Sequence, residues 1–149
     1  VLGITEAQES SMGGTSGALY AIYLTGLVQG LLKSTQNNGE AATVKHWASA
    51  ANHAFQSLGK YTPARPGDRT LVDALEPFCR TLASEAESGK SAKEALKAAV
   101  DASKEGAEKT RDMTARLGRA TYIGETSEKV PDPGAWGIWA LVEGIYKVL

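Results

Sequence analysis

The segment GGTSG, Gly13 to Gly17, places three glycines and two hydroxyl side chains directly before a long apolar run. Glycine lets a backbone approach a ligand closely, and the first turn of a helix has amide groups without partners inside the helix. Such a helix start can bind phosphate, but its hydroxyls can equally cap their own helix. The segment is not a Walker A loop, because the Gly-Lys-Ser/Thr ending is missing. A cap and a phosphate site therefore both stay open.

Two later segments also carry residues that suit an anionic ligand or a helix start. Arg119 has small neighbours, which leave room for two parallel hydrogen bonds to a phosphate or carboxylate. Asp132, Pro133 and Gly134 fit the start of a helix, with Asp132 as N-cap and Pro133 at the first helical position. Taken singly, the two segments are more often a solvated arginine and an ordinary helix start.

The other reactive residue types do not combine into a site. His46 and His53 would lie about 10 Å apart along one helix, which is too far to share a metal ion. Cys79 is the single cysteine and lies on an apolar stripe, so we expect it to be buried and unreactive. Trp136 and Trp139 have helical spacing and are expected in the core. We therefore predict no metal ligands among these residues.

Composition and charge exclude some classes of function. The 149 residues, with 16 basic and 17 acidic side chains, indicate one domain without the positive charge that nucleic-acid binding requires. We identify Ala135 to Leu149 as the most apolar run, and it is interrupted by charges and too short to span a bilayer. We expect a cytoplasmic protein with no membrane and no nucleic-acid partner. The chain starts at Val1 inside what looks like an element, so we expect a fragment.

The first part of the chain predicts two helices. The first begins near Thr15 and is apolar almost all round, which predicts a central position. Residues 34–40 form a turn-rich break. The second has an apolar stripe from Val44 to Leu58, and Gly59 can end it. Both helices have enough apolar residues to pack on neighbours.

The second part of the chain predicts three more helices. Asp68 is the predicted N-cap of a helix that a proline should kink, and Ser91 with Glu94 has the spacing of a capping box for a helix to about Arg116. Leu117 to Ala135 is a long connection, a kind of segment that is often functional or mobile. The last helix starts at Asp132. Because no segment alternates like a strand, we predict an all-α fold of antiparallel amphipathic helices.

Four segments in this order resemble the nucleotide-binding domain of dihydroxyacetone (glycerone) kinases, and the single-chain enzymes of fungi above all. The segments are GGTSGALY at Gly13–Tyr20, RPGDRTLVDAL at Arg65–Leu75, GRATYIGE at Gly118–Glu125 and DPGA at Asp132–Ala135. The resemblance runs from Gly13 to the end of the chain. It implies an antiparallel barrel of eight amphipathic helices whose loops at one end hold ATP and magnesium. Residues 1–149 would be a single partial domain, the later part of that barrel, without its first helices.

The resemblance also implies roles for particular residues. A phosphate-contacting turn is implied for Gly14, Thr15, Ser16 and Gly17. Contact with the adenine, the ribose or their surroundings is implied for Thr62, Thr70, Leu71, Arg119, Asp132, Pro133 and Gly134. No residue of the chain is implied as catalytic.

The family's two magnesium ions are held by an aspartate cluster upstream of the Gly-Gly turn. The twelve residues before Gly13 contain no aspartate, so we expect the magnesium ligands to be absent from this chain and to lie upstream of Val1. The parent enzyme would transfer the γ-phosphoryl group of ATP to dihydroxyacetone, and it would carry a separate domain for that substrate. Phosphoryl transfer depends on the metal ions, so the chain alone is expected to be inactive. Its expected partners are ATP or ADP and the dihydroxyacetone-binding domain of the parent chain.

Two alternatives remain open at this stage. Some members of the family use other small ketoses or aldoses, or cyclise a flavin dinucleotide. A different reading is a non-catalytic helical fragment, proteolytic or engineered, that binds protein partners or its own copies. The loss of the first helices would expose apolar flanks, which predicts a homo-oligomer or a rearrangement that covers them.

Overall fold

The structure, a computed structural model, describes residues 2–11, 13–35, 41–118, 121 and 129–149. These residues form six α-helices and one 3₁₀ turn, Thr110–Asp112, and contain no strand. The helices are α1 (Leu2–Ser11), α2 (Gly14–Thr35), α3 (Val44–Leu58), α4 (Val72–Glu87), α5 (Ala92–Lys109) and α6 (Pro133–Val148). The all-α prediction is confirmed. The chain divides into two compact units, Val1–Pro63 and Ala64–Leu149.

The first unit contains α1, α2 and α3, and glycines bring α2 close to α3. A Cβ added at Gly26 would lie 2.9 Å from the Cα of Ala54, and one added at Gly30 would lie 2.7 Å from the Cα of Ala50. Real Cβ atoms do not approach carbon atoms so closely, since packed atoms stay about 3.5–4.0 Å apart. The small side chains on both helices are therefore a condition for this packing.

The expected central position of α2 is wrong. Its buried residues are Gly17, Leu24, Gly26 and Gly30, whereas Leu32 is 60% exposed. The buried set is mostly glycine because glycines form the contact with α3, and the larger apolar side chains other than Leu24 are half-buried or exposed. By length and composition α2 is also apolar enough to cross a membrane, a property that core helices of water-soluble proteins share. The choice of Ala135 to Leu149 as the most apolar run missed this helix.

The number and ends of the helices differ from expectation in the first unit. The predicted set of five helices did not include α1, because Leu2–Ser11 lacks an apolar period. The end of α3 before Gly59 is confirmed, although Gly59 has φ −60° and so does not use a left-handed conformation.

Thr43 begins α3 through a capping box in which its Oγ1 accepts from the His46 amide and His46 Nδ1 accepts from the Thr43 amide. His46 therefore has a structural role.

The second unit consists of α4, α5 and α6 around one apolar core. Its buried side chains include Leu71, Val72, Leu75, Phe78, Cys79, Leu82, Val100, Ile138 and Val142. The predicted burial of Cys79 is confirmed. The expected core position of Trp136 is wrong, because it is 38% exposed. It meets the edge of half-buried Trp139 with ring centroids 4.5 Å apart, and Lys104 lies 5.4 Å from the Trp139 centroid.

The start of α5 follows the prediction, but its end does not. Ser91 and Glu94 form the expected capping box. The helix ends at Lys109 rather than near Arg116. The next residue, Thr110, donates its hydroxyl to the Ala107 carbonyl at 2.6 Å and opens the 3₁₀ turn. This side-chain bond competes with a further turn of α-helix.

A proline and a glycine fit together where α4 meets α5. Pro77 lies inside α4 and has no amide hydrogen for the Asp73 carbonyl four residues earlier. On α5, a Cβ added at Gly106 would lie 2.1 Å from that carbonyl oxygen and 2.9 Å from Cγ of Pro77. Only a residue without a Cβ can occupy position 106 at this distance.

Candidate functional site

The first candidate segment is the start of α2. The helix begins at Gly14, whose φ of +74° is readily adopted by glycine. Thr15 and Ser16 are exposed, and Gly17 is buried. Among the described residues, no atom outside the neighbouring backbone lies within 4 Å of a Cβ added at Gly13 or Gly14, which leaves open space beside the turn. The hydroxyls of Thr15 and Ser16 are therefore accessible to a ligand.

Thr62 lies in the segment after α3. It is half-buried and belongs to the first unit, a residue before that unit ends at Pro63. The other described residues that the resemblance assigns to the base and ribose belong to the second unit.

The start of α4 is held by a buried carboxylate, Asp73, whose role no local sequence pattern indicates. Asp73, which is 6% exposed, accepts the Gly67 amide with Oδ1 and the Thr70 amide with Oδ2, the second at 2.8 Å. The predicted cap, Asp68, is wrong: its Oδ2 accepts the Arg65 amide at 2.8 Å and closes a turn. Asp68 does not cap α4, because the helix begins four residues later, at Val72. Asp73 instead orients the backbone on both sides of position 69.

The start of α6 matches the prediction and lies beside the start of α4. Asp132 caps the helix by accepting the Ala135 amide at 2.9 Å, with Pro133 at the first position. A Cβ added at Gly134 would lie 3.4 Å from Cβ of Leu71 and 3.0 Å from Oδ2 of Asp132. Thr70, Leu71, Asp132, Pro133 and Gly134, assigned separately from the sequence, therefore meet at one end of the second unit.

Two further residues join the same end of the unit and were missed. Arg69 donates Nε to the Thr110 carbonyl at 3.2 Å and Nη2 to the Val130 carbonyl at 2.9 Å. Thr110 Oγ1, fully buried, accepts the Asp132 amide at 2.7 Å. No sequence pattern identifies these partners, which lie 22 to 61 residues apart along the chain.

Arg119 lies outside the described residues, as does most of the segment that follows it. The last stretch before it is attached to the turn ahead of α4. The Arg116 amide donates to the Asp68 carbonyl at 3.3 Å, and its Nη1 lies 3.7 Å from Oδ1 of Asp68. The role assigned to Arg119 stays a prediction.

Burial is the main influence on the ionisation of Asp132. It raises the pKa of this carboxyl, whereas the amides of Ala135 and Gly134 and the charge of Arg69 act in the opposite direction. The nearby Asp73 carboxylate raises the pKa further. The folded chain therefore holds the Asp132 proton to a higher pH than the unfolded chain does.

We expect Asp132→Asn to gain stability relative to the unmodified chain as the pH rises from about 3 to about 7. The favourable contribution of the raised pKa is complete below the unfolded pKa and disappears as the pH rises through the folded pKa. Asparagine keeps an oxygen for the Ala135 amide and has no carboxyl group to ionise. Chemical denaturation of both chains at several pH values measures the difference, and a constant difference would contradict the assignment.

Magnesium does not fit the described residues as a resident ion. Across residues 2–11, 13–35, 41–118, 121 and 129–149, no group of three or more His, Cys, Asp or Glu side chains is arranged to hold a metal. The carboxylates of Asp73 and Asp132 are occupied by backbone amides. We therefore derive no step of phosphoryl transfer from these residues.

Comparison with known proteins shows which protein family the chain matches. The profile of the DAK2 domain matches residues 2–147. The chain is 47% identical to dihydroxyacetone kinase 2 of Saccharomyces cerevisiae over 143 residues, which are 91% of the chain and 22% of that protein. It is 36% identical to human triokinase/FMN cyclase over 138 residues, 93% of the chain and 23% of that protein. The chain thus spans less than a quarter of the length of these relatives.

The fold gives the same answer. A crystal structure of the dihydroxyacetone kinase of C. freundii in its native form matches with a TM-score of 0.66 at 26% sequence identity. The match covers 98% of the chain and 23% of that structure. The family resemblance inferred from the four segments is therefore confirmed. By sequence and by fold, the chain belongs to the DAK2 domain family of dihydroxyacetone kinases.

Proposed function

We propose that the chain is part of the ATP-binding domain of a cytoplasmic dihydroxyacetone kinase. The whole protein would transfer the γ-phosphoryl group of ATP to dihydroxyacetone and release dihydroxyacetone phosphate. The observation that carries this proposal is the family match over residues 2–147, together with relatives named as dihydroxyacetone kinases. The substrate would be bound by another domain of the whole protein, since the matched residues are less than a quarter of the relatives.

In the first unit, we assign phosphate binding to Gly14, Thr15, Ser16 and Gly17. The support is the open space beside Gly14 and the exposure of the two hydroxyls at the start of a 22-residue helix. The partial positive charge at a helix start attracts phosphate, and hydroxyl groups can add hydrogen bonds. Thr62, in the same unit, is assigned to the surroundings of the base by resemblance alone.

In the second unit, we assign base and ribose binding to the adjoining starts of α4 and α6. Leu71 is only 6% exposed, so it would contact the base through a small part of its surface, and Gly134 lies beside it without a side chain. Thr70, Asp132 and Pro133 border the same place, and Arg119 is added by resemblance. An apolar contact with a few polar groups near it is typical of sites that bind a nucleobase.

Calorimetric titration of the chain with ADP, with and without magnesium, tests the proposal. Because the described residues offer no cluster for the metal, we expect binding that magnesium changes little. Intact mass and circular dichroism before the titration establish that the sample is whole and helical. A folded chain that binds no ADP would contradict nucleotide binding by this part of the kinase.

Ser16→Ala is expected to weaken ADP binding about tenfold, because hydrogen bonds to charged groups contribute about 1.5–3 kcal/mol. The stability should change little, since Ser16 is exposed. Thr25→Ala is a matched control on the same helix, because Thr25 is also an exposed hydroxyl residue. Equal ADP affinity in the two variants would remove Ser16 from the proposed phosphate site.

A second candidate function is an interaction module without catalysis, and exposed apolar side chains favour it. Leu141, Ile145 and Val148 on α6 are 42%, 47% and 85% exposed, and Leu32 on α2 is also exposed. Such residues are compatible with contact to another copy of the chain or to another domain. Sedimentation velocity over a range of concentrations separates the candidates: a chain that self-associates and ignores ADP would support the module.

A further inference from the structure

Arg69 has an unusual backbone for its residue type. Its φ is +60°, and it is the one non-glycine residue with a positive φ among those the structure describes. The left-handed region costs free energy for a residue with a Cβ, so other interactions must hold the residue there. Arg69 lies directly before Thr70 and Leu71, which the proposed function places beside the base. Its conformation therefore fixes the direction in which the chain enters α4.

The guanidinium group supplies interactions that hold this conformation. Nε and Nη2 donate to two carbonyl groups from different parts of the chain, those of Thr110 after α5 and Val130 before α6. Because the guanidinium is planar and its donors have fixed directions, these two bonds define the position of one carbonyl relative to the other. Arg69 thus connects the segment before α4 with the segment before α6.

Thr110 completes the connection. Its hydroxyl donates to the Ala107 carbonyl at 2.6 Å and accepts the Asp132 amide at 2.7 Å. Its side chain is fully buried, so the hydroxyl itself is shielded from water. A hydroxyl has one proton, so Thr110 donates in the bond to Ala107 and accepts in the bond from Asp132. The N-cap residue of α6 is therefore tied to the end of α5.

We propose that Arg69 and Thr110 are positioning residues that set the distance between Leu71 and Gly134, and thereby the affinity for the base of the nucleotide. This rests on the proposed function, because it assigns the base to the starts of α4 and α6. Neither residue needs to touch the nucleotide. Their hydrogen bonds join the three chain segments that meet there.

Hydrogen exchange tests the connection itself without nucleotide. Arg69→Gly removes both guanidinium bonds and keeps a residue that readily adopts a positive φ, so a loss of protection would not come from a steric clash at this turn. We expect exchange of the Asp132, Ala135 and Thr70 amides to become at least about tenfold faster. Arg80→Ala is the control, because Arg80 is an exposed arginine on α4. Unchanged exchange in Arg69→Gly would overturn the connection.

Thr110 gives an independent test of the same connection. Thr110→Val keeps the size of the buried side chain and removes the hydroxyl, whereas Thr110→Ser keeps the hydroxyl. We expect faster exchange of the Asp132 amide in the valine variant and protection in the serine variant. Equal exchange in both variants would overturn the role of the hydroxyl.

The effect on nucleotide binding tests the positioning role. We expect the ADP dissociation constant of Arg69→Gly to rise about tenfold. Faster exchange with unchanged ADP affinity would overturn the positioning role and keep the connection as a structural feature. If the unmodified chain does not bind ADP, the proposed function fails and the positioning role fails with it. The exchange data still decide in that case whether the connection exists.

Discussion

Gly106→Ala is expected to lower the free energy of unfolding of the second unit by about 3 kcal/mol, at the upper end of what an overpacked site costs. The added Cβ would lie 2.1 Å from the Asp73 carbonyl oxygen and 2.9 Å from the ring of Pro77. The first contact is with backbone, so no side-chain rotation can relieve it. Either α5 moves away from α4 or the start of α4 shifts.

Urea denaturation followed by circular dichroism measures this effect. Gly144→Ala is the matched control, because Gly144 is exposed on α6 and no atom that the structure describes, its own helix backbone aside, lies within 4 Å of its added Cβ. Alanine is a better helix former than glycine by about 1 kcal/mol, so the control should be equally stable or more stable. If both variants were equally stable, the close contact between α4 and α5 would not exist in solution.

Gly106 also shows why the packing could not be predicted from the sequence. A glycine inside a helical pattern only indicates a small loss of helix propensity. The reason for the glycine is the Asp73 carbonyl that Pro77 leaves without an amide donor, and this carbonyl belongs to another helix. The sequence places both residues in their helices and says nothing about which helices face each other.

The parts that could be predicted depend on neighbours in the sequence. The Ser91 and Glu94 capping box and the Asp132 cap are local, since each partner lies three residues away, and both were predicted. The prediction of Asp68 as a cap was wrong although its hydrogen bond is also local. Its carboxylate accepts the Arg65 amide three residues back, and the next residue, Arg69, has a left-handed backbone conformation.

The candidate site could be predicted only in part and only through resemblance. The residue types at Thr70, Leu71, Asp132 and Gly134 are ordinary for helix starts, and their spacing does not show that two starts adjoin. The family resemblance supplied the connection, and the contact between Leu71 and Gly134 agrees with it. Arg69, Thr110 and Asp73 were missed, because their partners are set by the tertiary fold.

Asp73→Asn is expected to lower the free energy of unfolding by about 3 kcal/mol and to abolish measurable ADP binding. The two oxygens of Asp73 accept two different amides, those of Gly67 and Thr70. Asparagine replaces one oxygen by an NH₂ group, which donates and cannot accept. One buried amide would therefore face another donor, and the substitution removes the charge that favours both bonds.

The expected loss of ADP binding follows from the position of the second amide. Thr70 and Leu71 directly precede α4, and the Asp73 carboxylate holds the Thr70 amide next to the left-handed turn at Arg69. Asp101→Asn is the matched control: Asp101 is exposed on α5 and pairs with Lys97 on the surface, so its loss should cost less than about 1 kcal/mol. Denaturation and ADP titration of both variants give the result. An Asp73→Asn chain of normal stability would show that the carboxylate does not hold the turn, whereas a destabilised chain with normal ADP affinity would place the base away from Thr70 and Leu71.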